Sequence, residues 1–160
     1  MLNNILSKVN AIYEHGSGNA SECGGDWFKY RDSCYFVISK KNSFQSAENE
    51  CRQLNAHVVR LETKEENEFL KSYMDKHVED TKIYWIGITD VEKEGVWKLS
   101  GTGRVVPYTD WKGNEPNDFR GREDCAVLHH HTQWSGWMDV PCENSYPVFC
   151  ERHRERGTEY

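Results

Sequence analysis

Residues 115–124 read Glu-Pro-Asn-Asp-Phe-Arg-Gly-Arg-Glu-Asp and run directly into Cys125. Four carboxylates and one amide in so short a stretch form a donor set for a hard cation. Ca²⁺ is such a cation, taking about six to eight oxygens from carboxylates and amide carbonyls. Pro116 and Gly121 interrupt the stretch, so it reads as an exposed loop rather than a helix or strand. Its carboxylates repel one another. Either they stay splayed in water as a solvated acidic loop, or a cation gathers their oxygens. A second acidic loop, Thr89-Asp90-Val91-Glu92-Lys93-Glu94-Gly95, lies upstream and offers further oxygens.

These loops need a scaffold, and the pattern of apolar residues supplies one. Residues 27–30 and 34–38 read as two strands joined by a polar turn at Arg31-Asp32-Ser33, across which a Cys23–Cys34 bridge is consistent. A first helix opens at Asn42 or Ser43 and carries Phe44, Ala47, Cys51 and Leu54 on one face. A second opens at Thr63, with Glu66 completing a capping box, and turns Phe69, Leu70, Tyr73 and Met74 inward. Between the helices, residues 57–61 form a short strand, and His57 and His77 read as ordinary surface or interface histidines. The run Ile83-Tyr84-Trp85-Ile86-Gly87-Ile88 is a buried strand, rich in β-branched and aromatic residues. Further strands are expected at 96–99, 125–128 and 147–150. Helices early, strands at both ends and long irregular connections between about 89 and 124 make an α+β domain whose long loops carry function.

At 160 residues the chain accommodates one domain with a substantial core. A formal net charge of −6, with no basic face, excludes a nucleic-acid backbone as partner. Six cysteines, at 23, 34, 51, 125, 142 and 150, contain no CxxC pair and read as a disulfide framework of an oxidising compartment. The protein is therefore expected to be secreted or extracellular, and Asn19-Ala20-Ser21 is an N-glycosylation sequon consistent with that. The opening residues lack a continuous apolar stretch, so neither signal peptide nor membrane insertion is expected, and the chain reads as a mature form. Leu2, Ile5, Leu6, Val9, Ile12 and Tyr13 instead form one stripe of a helix. That stripe needs a partner, either the domain itself or the same helix of another subunit in a homo-oligomer. Residues 1–22 are thus a neck helix and linker, 23–151 the domain proper, and 152–160 a tail. No Gly-x-Ser-x-Gly elbow, His-Glu-x-x-His or phosphate-cradling glycine loop is present, so no enzyme is expected.

The order of these features resembles the C-type lectin-like domain in its long form. The residues that carry the resemblance are Cys23, Cys34, Cys51, the run Trp85-Ile86-Gly87-Ile88, Trp111 leading into Glu115-Pro116-Asn117, Glu123-Asp124-Cys125, Trp137-Met138-Asp139, Cys142 and Cys150. It implies two helices with antiparallel sheets, a long calcium-binding loop region and the bridges Cys23–Cys34, Cys51–Cys150 and Cys125–Cys142. The second of these closes the largest loop and is worth about 4 to 5 kcal/mol by chain entropy. By the same resemblance, Glu115, Asn117, Glu123 and Asp139 hold the Ca²⁺ that contacts a sugar, with Pro116 in the cis form. Asp90, Glu94, Asp118 and Asp124 hold an auxiliary Ca²⁺. The Glu-Pro-Asn motif is associated with mannose, fucose, glucose and N-acetylglucosamine, so the implied partners are glycans on cell or microbial surfaces. Such a protein acts in innate immunity or cell recognition, and its weak single sites gain strength from avidity.

One position departs from the family. Met138 stands where the pattern has Asn, and a thioether neither ligates Ca²⁺ well nor donates to a sugar hydroxyl. The alternative reading is therefore a lectin-like domain with a decayed sugar site that binds a protein or mineral surface. Arg120 and Arg122 stand between the ligand residues, where they pair locally or reach an acidic sugar. In an extended segment His129 and His131 share one face and His130 takes the other, so the run reads as an exposed hairpin extension, with transition-metal or glycan contact as the other reading. Trp134 beside it either packs or stacks on a sugar face.

Overall fold

The apolar run at the centre of the sequence alternates toward two cores. Tyr84, Ile86 and Ile88 join one buried cluster with Val59, Leu61, Leu70, Met74, Trp137 and Phe149. Trp85 points the other way, into a cluster with Phe44, Ala47, Cys51, Val127, Val140 and Val148. The structure is a computed structural model and describes residues 23–78 and 82–153. The neck helix of residues 2–13, the Asn19 sequon and residues 154–160 of the tail lie outside the described residues.

In chain order the elements are β1 (Phe28–Tyr30), β2 (Ser33–Asn42), α1 (Phe44–Gln53), β3 (His57–Val58), α2 (Lys64–His77), β4 (Ile83–Thr89), β5 (Lys98–Leu99), β6 (Cys125–His131), β7 (Trp134–Val140) and β8 (Tyr146–His153). The sheet runs β1-β2-β8-β4-β6-β7, with β3 added to β8 and β5 to β4. All pairings are antiparallel except β4 with β8. Three disulfides join Cys23 to Cys34, Cys51 to Cys150 and Cys125 to Cys142. The α+β class, the two helices and the bridges are those the sequence implies.

Both helices begin at a side chain that satisfies an otherwise unpaired N–H. Ser43 Oγ accepts from Ser46 N at 3.3 Å, and Thr63 Oγ1 from Glu66 N at 3.1 Å. The inward face of α2 differs from the apolar reading. Leu70 and Met74 are buried, but Phe69 and Tyr73 are only partly so, and Asn67 and Lys71 are buried with them. Those two polar residues serve a network. Trp137 Nε1 donates to Asn67 Oδ1 (2.8 Å), Asn67 Nδ2 donates to Asp110 Oδ2 (2.8 Å), and Lys71 Nζ donates to the same oxygen (2.7 Å). Backbone bonds from Trp137 N to Asp110 O (2.7 Å) and from Lys112 N to Trp137 O (3.0 Å) lock the same loop to β7. The start of the acidic loop is thereby fixed against the strand that carries Asp139.

Other strands end differently from their sequence pattern. β2 continues through Ser39, Lys40 and Lys41, while regular strand at β3 stops at Val58, although Val59 N still donates to Phe149 O at 2.8 Å. β8 reaches His153, so Arg152 and His153 belong to the sheet rather than to the tail. Gly87 is required by proximity: a Cβ there would sit 2.7 Å from Val58 O and 3.0 Å from Val59 O. His77 is exposed, as expected, but His57 is half-buried and its Nε2 has no partner.

Candidate metal centre

Two carboxylate clusters form where the long loops fold back on the sheet. Asp90 directly follows β4 and is only 2% exposed. Its N–H donates to Asp124 O at 3.1 Å, and its Oδ2 accepts from Gly95 N at 2.9 Å, which closes the first acidic loop on itself. Carboxylate oxygens of Asp90, Glu94 and Asp124 lie within 4.8 Å of one another. The crowding has an electrostatic signature. Glu94 is pushed up to about 8, first by Asp90 beside it, then by burial and by the charge of Asp118. Asp124 is raised by burial and then by Asp90.

The second cluster gathers Glu115, Glu123 and Asp139, again within 4.8 Å. Asp139, 1% exposed on β7, is its anchor. Its Oδ1 accepts from Asn117 N (3.0 Å) and its Oδ2 from Asp118 N (2.7 Å), so a sheet residue dictates the path of the loop. The chain turns sharply there: Asp118 and Arg120 adopt φ of 44° and 60°, around a short 3₁₀ turn at Phe119–Gly121. Glu123 Oε1 accepts from Phe119 N at 2.9 Å, and Glu123 N donates to Asp118 Oδ1 at 3.1 Å. Asn117 Nδ2 donates to Glu115 Oε1 at 3.2 Å, and the Glu115–Pro116 bond is cis. Glu115 is pushed up to about 7 by burial, then by Asp139 and Glu123, with the Asn117 backbone N–H opposing. Glu123 is raised chiefly by burial.

Each cluster contains one buried carboxylate oxygen without a hydrogen-bond partner, Asp90 Oδ1 in the first and Glu115 Oε2 in the second. An unpaired buried acceptor costs about 1 to 3 kcal/mol, and crowded carboxylates add repulsion. A hard cation relieves both, so the donor chemistry fits Ca²⁺.

All eight acidic and amide residues singled out in the sequence fall in or directly beside these clusters. Asp90, Glu94 and Asp124 assemble one, Glu115, Glu123 and Asp139 the other, and Asn117 borders the second through Glu115. Asp118 stands between the clusters: it acts on Glu94 electrostatically while its Oδ1 is taken by Glu123 N. Met138 neighbours Asp139 on β7 and brings no oxygen to the cluster. It pairs with Val127 across β6 and β7 and packs, partly buried, against the second apolar cluster. Arg120 stacks its guanidinium over the Phe119 ring at 5.1 Å, and Phe119 itself is 61% exposed at the rim. Trp134 packs its ring 4.8 Å from that of His129. The backbone donors of Gly95 and Phe119 and the Asn67–Asp110–Lys71 brace are invisible to motif reading, since they are placed by folding alone.

The family model described as the lectin C-type domain matches residues 40–152. The chain belongs to the C-type lectin domain family. It is similar to C-type lectin domain family 10 member A of Homo sapiens, 30% identical over 156 residues that make up 94% of this chain and 46% of that one. It is likewise similar to C-type lectin domain family 4 member E of Mus musculus, 33% identical over 144 residues, 88% of this chain and 65% of the other. The chain thus spans less than two thirds of the length of these two relatives. Among solved structures, the mouse scavenger receptor C-type lectin carbohydrate-recognition domain superposes with a TM-score of 0.71 at 31% identity, covering 82% of this chain and 96% of that one. The C-type lectin domain of murine dendritic cell inhibitory receptor 2, solved in complex with N-glycan, gives a TM-score of 0.71 at 28% identity over 82% and 99% of the two chains. Among the described residues no helix is long and apolar enough to cross a membrane.

Proposed function

We propose that this domain is an extracellular, calcium-dependent lectin whose sugar site is built from Glu115, Asn117, Glu123 and Asp139, with Asp90, Glu94, Asp118 and Asp124 as an auxiliary calcium site that orders the loops. The observation that carries the reading is Glu115 Oε2, a buried carboxylate oxygen without a donor, held beside Glu123 and Asp139. When bound, Ca²⁺ supplies open coordination positions that two adjacent sugar hydroxyls fill. The chain supplies the directional part. Glu115 accepts from a hydroxyl and the Asn117 amide donates to one, while Asp139 keeps both residues in register through the N–H groups of Asn117 and Asp118. Mannose and N-acetylglucosamine, with equatorial 3- and 4-hydroxyls, and fucose, with an equatorial 2,3-pair, are the favoured class. The apolar stripe at 2–13 would link several such domains, and multivalency then raises a weak single-site affinity on glycan-coated cells or microbes.

A second reading rests on Met138. Its thioether, partly buried against the second apolar cluster, stands beside Asp139 where an amide could ligate and donate, so the site lacks that amide. On that reading the surface binds a protein or a mineral, and the acids hold calcium only to stiffen the loops. A glycan-array screen with Ca²⁺ and again with chelator separates the two. Signal on mannose-, fucose- or N-acetylglucosamine-terminated glycans that vanishes on chelation upholds the lectin reading. Silence on every glycan, while Ca²⁺ still raises thermal stability, overturns it in favour of the second.

A further inference from the structure

The run His129-His130-His131 is untouched by the reading above. All three residues belong to β6, and the structure divides them by face. His130 turns toward α2, with Nδ1 2.8 Å from Ser135 Oγ and Nε2 2.8 Å from Asp75 Oδ1, so both its ring nitrogens are engaged. His129 and His131 share the opposite face, and their ring centroids are 5.0 Å apart at an interplanar angle of 61°.

That separation permits one shared ion. An imidazole nitrogen sits about 2.0 to 2.1 Å from Zn²⁺, which puts the ring centroid about 3.2 Å from the metal. Two such rings are then about 4.5 Å apart at a right-angled cis geometry and about 5.2 Å apart at a tetrahedral one. The observed 5.0 Å falls between these values. Access is open, since His131 is exposed and His129 half-buried at the end of the hairpin. His131 Nδ1 accepts from Gln133 N at 3.3 Å, a long contact whose loss is the cost of metallating that ring. His129 and His131 lie about 13 and 20 Å along β6 from Cys125, at about 3.3 Å per residue.

We propose that His129 and His131 form a bidentate site for a first-row transition-metal ion, Cu²⁺ or Zn²⁺, on the solvent face of the β6–β7 hairpin, with water filling the remaining positions. Imidazole suits these ions and Ca²⁺ prefers oxygen, so the hairpin site and the acidic loops take different metals.

The test is calorimetric titration of the full chain with CuCl₂ and with ZnCl₂ in excess Ca²⁺, on wild type, His129→Gln, His131→Gln and His130→Gln. Wild type is expected to bind a single equivalent, Cu²⁺ more tightly than Zn²⁺. His129→Gln and His131→Gln should each weaken it at least about tenfold by removing the second arm of the chelate, while His130→Gln leaves it unchanged. Cu²⁺ should also quench part of the tryptophan fluorescence through Trp134, whose ring is 4.8 Å from that of His129. No heat with wild type, affinity undiminished in His129→Gln or His131→Gln, or an equal loss in His130→Gln would each overturn the assignment.

Discussion

Replacing Glu115 with Gln should move stability in opposite directions with and without calcium. In the calcium-free protein Glu115 is raised from 4.5 to about 7 by burial and by Asp139 and Glu123. Its ionised form therefore costs the fold up to about 3 kcal/mol at pH 8, which the solvent access of the loop reduces to about 1 to 2 kcal/mol. Gln keeps the shape, removes the charge and gives its amide a chance to donate to Asp139 or Glu123. At about 3 °C per kcal/mol for a domain of this size, the chelated variant should melt about 3 to 6 °C above chelated wild type. With Ca²⁺ the order should reverse. A site filled to about 100 times its Kd contributes about 2.7 kcal/mol, and a variant lacking one of three clustered carboxylates forfeits most of that share. The assay is differential scanning calorimetry of both proteins in chelator and in Ca²⁺, paired with sugar binding. If Glu115→Gln melts lower than wild type in chelator, or keeps the full calcium increment and binds sugar, Glu115 is not the strained ligand described here.

Three further outcomes are expected. Met138→Asn should tighten calcium-dependent sugar binding several-fold while lowering the melting temperature, because it withdraws an apolar side chain from the second core cluster; a glycan titration that finds no gain would favour the protein- or mineral-binding reading. Asn67→Ala should cost about 2 to 3 kcal/mol in urea unfolding, since it leaves the Trp137 N–H unsatisfied in the core and removes one of the donors to Asp110. The calcium-induced rise in melting temperature should be larger at pH 8 than at pH 5. Glu94, Glu115, Glu123 and Asp124 are all raised in the folded calcium-free protein. The fold therefore holds protons that the unfolded chain has released, and calcium-free stability falls as pH climbs from about 4.5 toward about 8. Calcium displaces those protons, and histidine and Glu66 titrations common to both conditions cancel in the difference. An increment independent of pH would refute the assignment.

The capping box at Thr63 and Glu66 was readable because a helix start needs local donors and acceptors that sit three residues apart. The buried run at 83–88 was readable because period-two burial on both faces leaves nothing polar in the string. The acidic loops were conspicuous by charge density, and the family resemblance paired the cysteines. What escaped depends on contacts made at a distance. Asn67 and Lys71 look like surface residues on a helix, and only the arrival of Asp110 and Trp137 from the far end of the chain makes their burial tolerable. β6 continues through three histidines because β7 pairs with it residue for residue to His131 and Trp134, a tertiary fact that no propensity for histidine encodes. Met138 was conspicuous as a departure, but its packing against the second apolar cluster came only with the strand register.

The disulfide connectivity also governs what happens when the domain is pulled. Tension entering at Cys23 passes through its bond to Cys34, runs along the backbone to Cys51, crosses to Cys150 and leaves at His153. Everything from 52 to 149 hangs inside the covalent ring closed by Cys51 and Cys150 and cannot be lengthened while that bond lasts. Both carboxylate clusters and the histidine hairpin lie within that ring. A tether under shear can therefore strip β2, unwind α1 and peel the last residues of β8, yet it transmits no stretch along the backbone that carries the binding loops. Both acidic loops are thereby mechanically insulated from strain applied at the two ends of the domain.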